Sequence, residues 1–183
     1  MNNTDDAVSG LKVFDDVITV WHSKESRINT WEDACAGLQC RHSGIKKLLF
    51  ELGLINCFQW HEEDMIRSPV LSEPEIVRIK RSIDASNQRR VEKIEEIDSF
   101  ILDCLKGVKT RPGAELNSET PGSILDRLSV LSLKIFHAKD AEKIKILKEQ
   151  KADLSGCFEK LMSLLKSGKK KMKMYFHFKN YGK

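Results

Sequence analysis

The segment "QWHEEDMIR", Gln59–Arg67, sets an imidazole, three carboxylates and a guanidinium within about two and a half helical turns. At helical spacing Trp60, Asp64 and Arg67 share a face, and His61 precedes Asp64 by about one turn. A histidine steered by a carboxylate is a proton-transfer group near neutral pH, so His61, Glu63 and Asp64 are candidates for acid–base work. The plainer reading is a surface pair worth about 0.2–0.5 kcal/mol, and the segment taken alone favours it.

A second cluster interrupts an apolar stripe. Placed at about 100° per residue, Ile76, Ile79, Ile83, Ile94, Ile97 and Ile101 fall on one line. Ser86, Asn87 and Arg90 break it, with Arg90 near its centre and Lys80, Asp84 and Asp98 along one margin beside Asn87. A guanidinium facing a core must be paired, because stranding it costs several kcal/mol. Arg90 therefore predicts a carboxylate from another helix, or an anionic ligand.

A third cluster sits in "NSETPGSILDRLSVLSLKIFH", Asn117–His137. Ile124, Leu125, Leu128, Leu131, Ile135 and Phe136 make a wide apolar arc, and Val130 and Leu133 lie outside it, so this helix has neighbours on most sides. It nevertheless carries Asp126 and His137 on one side, Arg127 and Lys134 on another. Its start, with Ser118 and Glu119, offers N–H groups and a positive dipole end suited to a phosphate or carboxylate. The plainer reading is that Glu119 or Thr120 caps the helix. Arg90, Arg127 and Lys134 are the candidates for holding an anionic group. Asp126 joins His61, Glu63 and Asp64 as a candidate catalytic carboxylate. Asp84, Glu95, Asp98 and Asp126 have the donor type for magnesium without a diagnostic spacing, so a divalent cation is the cofactor to consider.

Helix signals must position these groups. Leu11, Phe14, Val17, Ile18 and Trp21 mark a first helix. A second spans about Cys40 to Arg67 on a stripe of Ile45, Leu48, Leu52 and Ile55, stopped before Pro69. Ser72 and Glu75 form a capping box for a third, about Glu73 to Lys106. Thr120 and Pro121 open the fourth, ending near His137. A fifth runs from about Asp140 to Leu165 on Ile144, Leu147, Leu154, Phe158, Leu161 and Leu165. The expected class is all-α: one antiparallel bundle of about five helices over 11–170, after a disordered 1–10.

Residues 171–183 read as a basic extended segment, with Met172, Met174, Phe176 and Phe178 alternating with Lys171, Lys173, Tyr175, His177 and Lys179. From Lys166 to Lys183 there are seven lysines and no acid, which leaves the remainder near −3 within a net charge of +4. Alternation turns the aromatics toward the body, so a solvated basic edge is favoured over nucleic-acid binding. No apolar run reaches the ~20 residues of a membrane span. The acidic start lacks a signal-peptide pattern, which points to the cytoplasm. Five scattered cysteines without C-x-x-C read as reduced thiols. Cys57 and His61, four apart, have too few companions for a zinc site to be expected.

The runs "FQWHEEDMIRSP", "VRIKRSIDASNQRRVEKIEEID", "NSETPGSILDRLSVLSLKIFH", "LKEQKADL" and "GKKKMKMYFHFKNY" together resemble the bacterial family catalogued as domain of unknown function 4254, over about Leu49 to Tyr181. The resemblance implies an all-helical cytoplasmic protein and, from the genomic company of its members, a place in envelope-glycan biosynthesis; it implies no established activity. It marks as family-like Trp60, His61, Glu63, Asp64, Arg67, Lys80, Arg81, Asp84, Asn87, Gln88, Arg90, Glu95, Asp98, Ser118, Glu119, Asp126, Arg127, Lys134, His137, Gln150 and Asp153. Val91 and Glu92 depart from the small polar–acidic pair of the family pattern. The expectation is a charged site between helices that binds or processes a phosphate-bearing small molecule such as a nucleotide or nucleotide-sugar. The alternative is a non-catalytic interaction module, or an accessory subunit of a glycan-biosynthesis enzyme, whose polar network only fixes helix register.

Overall fold

The computed structural model of the chain describes residues 5–175. They form seven α-helices: α1 Asp5–Ser9, α2 Lys12–Lys24, α3 Trp31–Gly37, α4 Gly44–Met65, α5 Glu73–Cys104, α6 Pro121–His137 and α7 Ala141–Lys166. A single 3-10 turn, Glu25–Arg27, follows α2. The two-residue strands β1 Glu115–Leu116 and β2 Lys170–Lys171 pair in parallel. The fold is all-α. Among the described residues no helix is long and apolar enough to cross a membrane.

Helix α4 is the axis of the core, in contact with α2, α5 and α6. The expected stripe of Ile45, Leu48, Leu52 and Ile55 is buried, and so are Leu49, Phe50, Leu54, Cys57 and Phe58 on its other sides. Full burial of each such large side chain contributes about 1.5–3 kcal/mol, so encirclement, not one amphipathic face, stabilises this helix. It begins at Gly44 rather than near Cys40, because Gly44 takes φ 57°, a left-handed turn that a helix interior cannot contain.

The other helices obey local signals. Ser72 and Glu75 make the capping box at the start of α5, where the Ser72 N–H donates to Glu75 Oε2 at 2.8 Å. Ile79, Ile83, Ile97 and Ile101 are buried on its stripe, whereas Ile76 near its start is 40% exposed. On α6, Thr120 Oγ1 accepts from the Ser123 N–H at 3.2 Å and Pro121 takes the first helical position. Helix α7 buries Phe158, Leu161, Met162 and Leu165, while Ile144, Leu147 and Leu154 in its first two-thirds are only half-buried.

Three features differ from the sequence expectation. Residues 5–9, placed in a disordered end, form α1, because Ala7 is buried in the core and Gly10 lets the chain approach Leu49 closely. Helix α3 has too short a pattern to be read in advance, but Thr30 and Asp33 close a capping box and Ala34 is buried. The extended segment read over 171–183 begins in a pairing that its alternation does not report: Lys171, with Lys170 just before the segment, pairs with β1. Beyond them Met172 and Met174 are half-buried while Lys171, Lys173 and Tyr175 are exposed, as alternation requires. Phe176, His177, Phe178 and Lys179 lie outside the described residues.

Candidate functional site

The carboxylate that Arg90 demands is Asp126. From α5, Arg90 donates through Nε to Asp126 Oδ1 at 2.7 Å and through Nη2 to Oδ2 at 2.5 Å. From α4, Asn56 Nδ2 adds a third hydrogen bond to Oδ1 at 3.1 Å. Three helices are thus tied by one carboxylate that is only 5% exposed. Hydrogen bonding to Asp126 outweighs desolvation and pushes the Arg90 pKa above its usual value, so the guanidinium stays charged. Asp126 uses two of its five N–H donors, which leaves three for other acceptors.

Arg90 also lines a hollow of about 250 Å³ with Asn56, Gln59, Trp60, Glu63, Asp64, Arg67, Val130 and Leu133. Gln59 donates through Nε2 to Asn87 Oδ1 at 3.0 Å, which draws Asn87 to the same side. Two buried atoms of these lining residues, Gln59 Oε1 and Trp60 Nε1, have no hydrogen-bond partner among the described residues. One accepts and the other donates. Leaving such atoms unpaired costs about 1–3 kcal/mol each. At the rim Arg67 and Asp64 pair at 2.9 Å, both more than half exposed.

Other expected members fall elsewhere. Arg127 forms an ion pair with Glu119 at 2.9 Å on an exposed surface, and Lys134 is exposed too, so neither joins Arg90 at the hollow. Lys80 and Asp84 form an exposed pair at 3.8 Å, and Gln88 bonds to Glu92 at 2.9 Å at the surface. Ser118 is exposed. The start of α6 is not open to an outside anion: Asp98 Oδ1 accepts the Gly122 N–H at 2.7 Å, and Thr120 caps the next residue. Burial pushes the Asp98 pKa up, opposed by hydrogen bonds from Thr120 and Gly122. The magnesium set is not brought together, since Asp84 faces solvent, Asp98 caps α6 and Asp126 holds Arg90. Glu95 is half-buried, and its charge adds to the rise at Asp98.

His61 has a different partner from the one expected. Its Nδ1 lies 3.1 Å from Glu25 Oε1, while Asp64 turns to Arg67. Around it gather His22 from α2 and His137 from α6, with ring centroids 4.9 to 5.4 Å apart. Each ring rests on an aromatic side chain of the next helix: His61 stacks on Trp21 at 5.3 Å, His137 on Trp60 at 5.2 Å, and His22 packs against Phe136 at 4.2 Å. Desolvation lowers the pKa of His61 and of His137, His22 lowers both further and His137 lowers His61, while Glu25 and Asp64 oppose.

Sequence reasoning missed His22, Glu25, Asn56, Gln59 and the buried Glu62, whose carboxyl is pushed up by desolvation against Ser82 and Ser86. One signal was available for the histidines. Trp21-His22, Trp60-His61 and Phe136-His137 are each an aromatic–histidine pair near the end of a helix.

No curated protein and no solved structure matches the chain. One family pattern does, described as "Protein of unknown function (DUF4254)", over residues 46–142. That segment spans the hollow, the Arg90–Asp126 pair and two of the three histidines, and it covers a little over half of the sequence. The chain therefore belongs to the family described as Protein of unknown function (DUF4254).

Proposed function

We propose that this chain binds a phosphate-bearing small molecule of the nucleotide or nucleotide-sugar class at the hollow between α4, α5 and α6, as a cytoplasmic protein of bacterial envelope-glycan biosynthesis. The observation that carries the reading is the pair of buried, partnerless atoms Gln59 Oε1 and Trp60 Nε1 on residues that line the hollow beside Arg90. A hydroxyl group both donates and accepts, and would satisfy the two together. The spare donors of Arg90 and the exposed Arg67 suit a phosphate at the rim. At about 250 Å³ the hollow falls below the ~300–1,000 Å³ of pockets that enclose drug-sized ligands. It fits one sugar ring or phosphate group, with the rest of the ligand outside. Of the acid–base candidates, Glu63 and Asp64 line the hollow and remain so in this reading, whereas His61 and Asp126 are not among its lining residues.

One observation favours the alternative of an interaction module. Asp126 and Asp98 take their hydrogen bonds from protein groups, and Arg90 is held by Asp126, which is what a network that only fixes register requires. Thermal stability measured with nucleotides, sugar nucleotides and sugar phosphates, in chelator, separates the two. Ligand binding predicts a rise in Tm that vanishes in Trp60→Phe and Arg67→Ala but persists in Arg127→Ala. No rise with any of these ligands supports the module.

A further inference from the structure

We propose that His22, His61 and His137 form a binding site for one divalent transition-metal ion, zinc foremost, between the ends of α2, α4 and α6. It goes beyond the small-molecule reading and does not depend on it. Each of the three offers a ring nitrogen, and those nitrogens all lie within 4.8 Å of one another. The Nε2 atom of every ring is buried and has no hydrogen-bond partner among the described residues.

Two of the three tautomers are already set. His22 Nδ1 contacts the Ile18 carbonyl oxygen at 2.7 Å, so that nitrogen carries the proton. His61 Nδ1 faces the Glu25 carboxylate at 3.1 Å and donates to it. Both Nε2 atoms are left as lone pairs. His137 is neutral in either tautomer, and with its proton on Nδ1 it offers a third lone pair, so that a cation takes all three at once. A carbonyl or carboxylate on the far nitrogen is also the usual outer support of a metal-bound histidine, where it fixes the ring and raises its basicity.

The environment keeps the ligands in the form a metal needs. Burial, helped by repulsion from His22 and opposed by Glu25 and Asp64, holds His61 and His137 below the ordinary histidine pKa, which favours the neutral ring at pH 7. The ring contacts, Trp21 stacked on His61, Trp60 stacked on His137 and Phe136 packed at a tilt against His22, limit the rotation of each ring. A tetrahedral zinc with Zn–N near 2.0–2.1 Å needs its nitrogens about 3.3 Å apart. A bound ion would draw the nitrogens, now within 4.8 Å of one another, closer together. Three imidazoles leave a fourth position for solvent or another ligand. Imidazole sets favour zinc, copper, iron or nickel over magnesium and calcium.

The test is a titration of the chelator-treated full chain with cobalt(II) chloride at neutral pH. The expected result is one equivalent bound, with the visible absorption of four- or five-coordinate cobalt, displaced by an equivalent of zinc. His61→Phe and His137→Phe, which keep an aromatic ring in place, should weaken binding by more than about 100-fold, and Glu25→Gln by about 10–100-fold. Glu25 is about half-exposed, so its variant should fold even if the histidine variants do not. Absence of the absorption in the wild-type chain overturns the proposal, as does unchanged affinity in Glu25→Gln. Because the nucleotide measurement above is made in chelator, either reading can fail while the other stands.

Discussion

Arg90 and Asp126 depend on each other unequally. Asp126 keeps 7% of its side chain exposed and Arg90 keeps 30%, so Asp126 has less access to water if its partner is removed. Arg90→Met should therefore cost about 3–5 kcal/mol in urea unfolding, and Asp126→Leu less, because a stranded guanidinium can turn outward. The double variant should recover most of the loss; additive losses would show that the pair does not act as a unit. The histidines give a second prediction at this scale. The folded pKa values of His61 and His137 are lowered, so below the ordinary value of about 6.5 the unfolded chain takes up protons that the folded chain refuses. Stability should then be fully present above about pH 6.5 and fall as the pH drops toward the lowered values. His61 is flanked by Glu25 and Asp64 as well as by His22 and His137, and the carboxylates soften the effect. Denaturation curves from neutral to mildly acidic pH should show a shallower fall in His61→Phe; an equal slope would place the titrating groups elsewhere.

At the level of elements, the start of α6 lies close against α5. A Cβ added at Gly122 would lie 2.7 Å from the Ile94 carbonyl oxygen and 2.9 Å from Asp98 Oδ1. Backbone cannot yield as a side chain can, so Gly122→Ala should destabilise by about 1–3 kcal/mol, read as a lower urea midpoint. Ser72→Ala, which removes a cap at the exposed start of α5, should cost about 1 kcal/mol. The caps at Ser72 and Thr120 were legible because they depend on three or four adjacent residues. So was the demand for a carboxylate opposite Arg90, since a charge on an apolar stripe requires a partner whatever the fold. Which carboxylate answers was not legible, because Asp126 is chosen by the packing of α6 on α5 across 36 residues of chain. The same limit explains Arg127 and Lys134: a wheel shows that they share a side, not that the side faces solvent. The triad of histidines needs three helix ends to meet, and no periodicity reports that.

Over the whole molecule, burial is concentrated around α4, while α7 buries only Phe158, Leu161, Met162 and Leu165 among the described residues. The segment 167–171 clasps the connection between α5 and α6. Arg111 N–H donates to the Gly168 carbonyl at 2.9 Å, Asn117 N–H to the Lys171 carbonyl at 2.9 Å, and Lys170 Nζ to Asn117 Oδ1 at 3.1 Å. Ending the chain at Lys166 should therefore speed amide exchange at Arg111 and Asn117 and leave the slowest amides of α4 unchanged. Equal protection in both chains would show that the connection holds itself. The stacked rings have a further consequence for anyone handling the protein. Two of its three tryptophans, Trp21 and Trp60, lie face to face with an imidazole. An imidazolium accepts an electron from an excited indole and darkens it, whereas a neutral ring does so poorly. The intrinsic emission of this chain is thus a built-in indicator, dimming on acidification and shifting when an ion settles among the rings, with no dye or label attached.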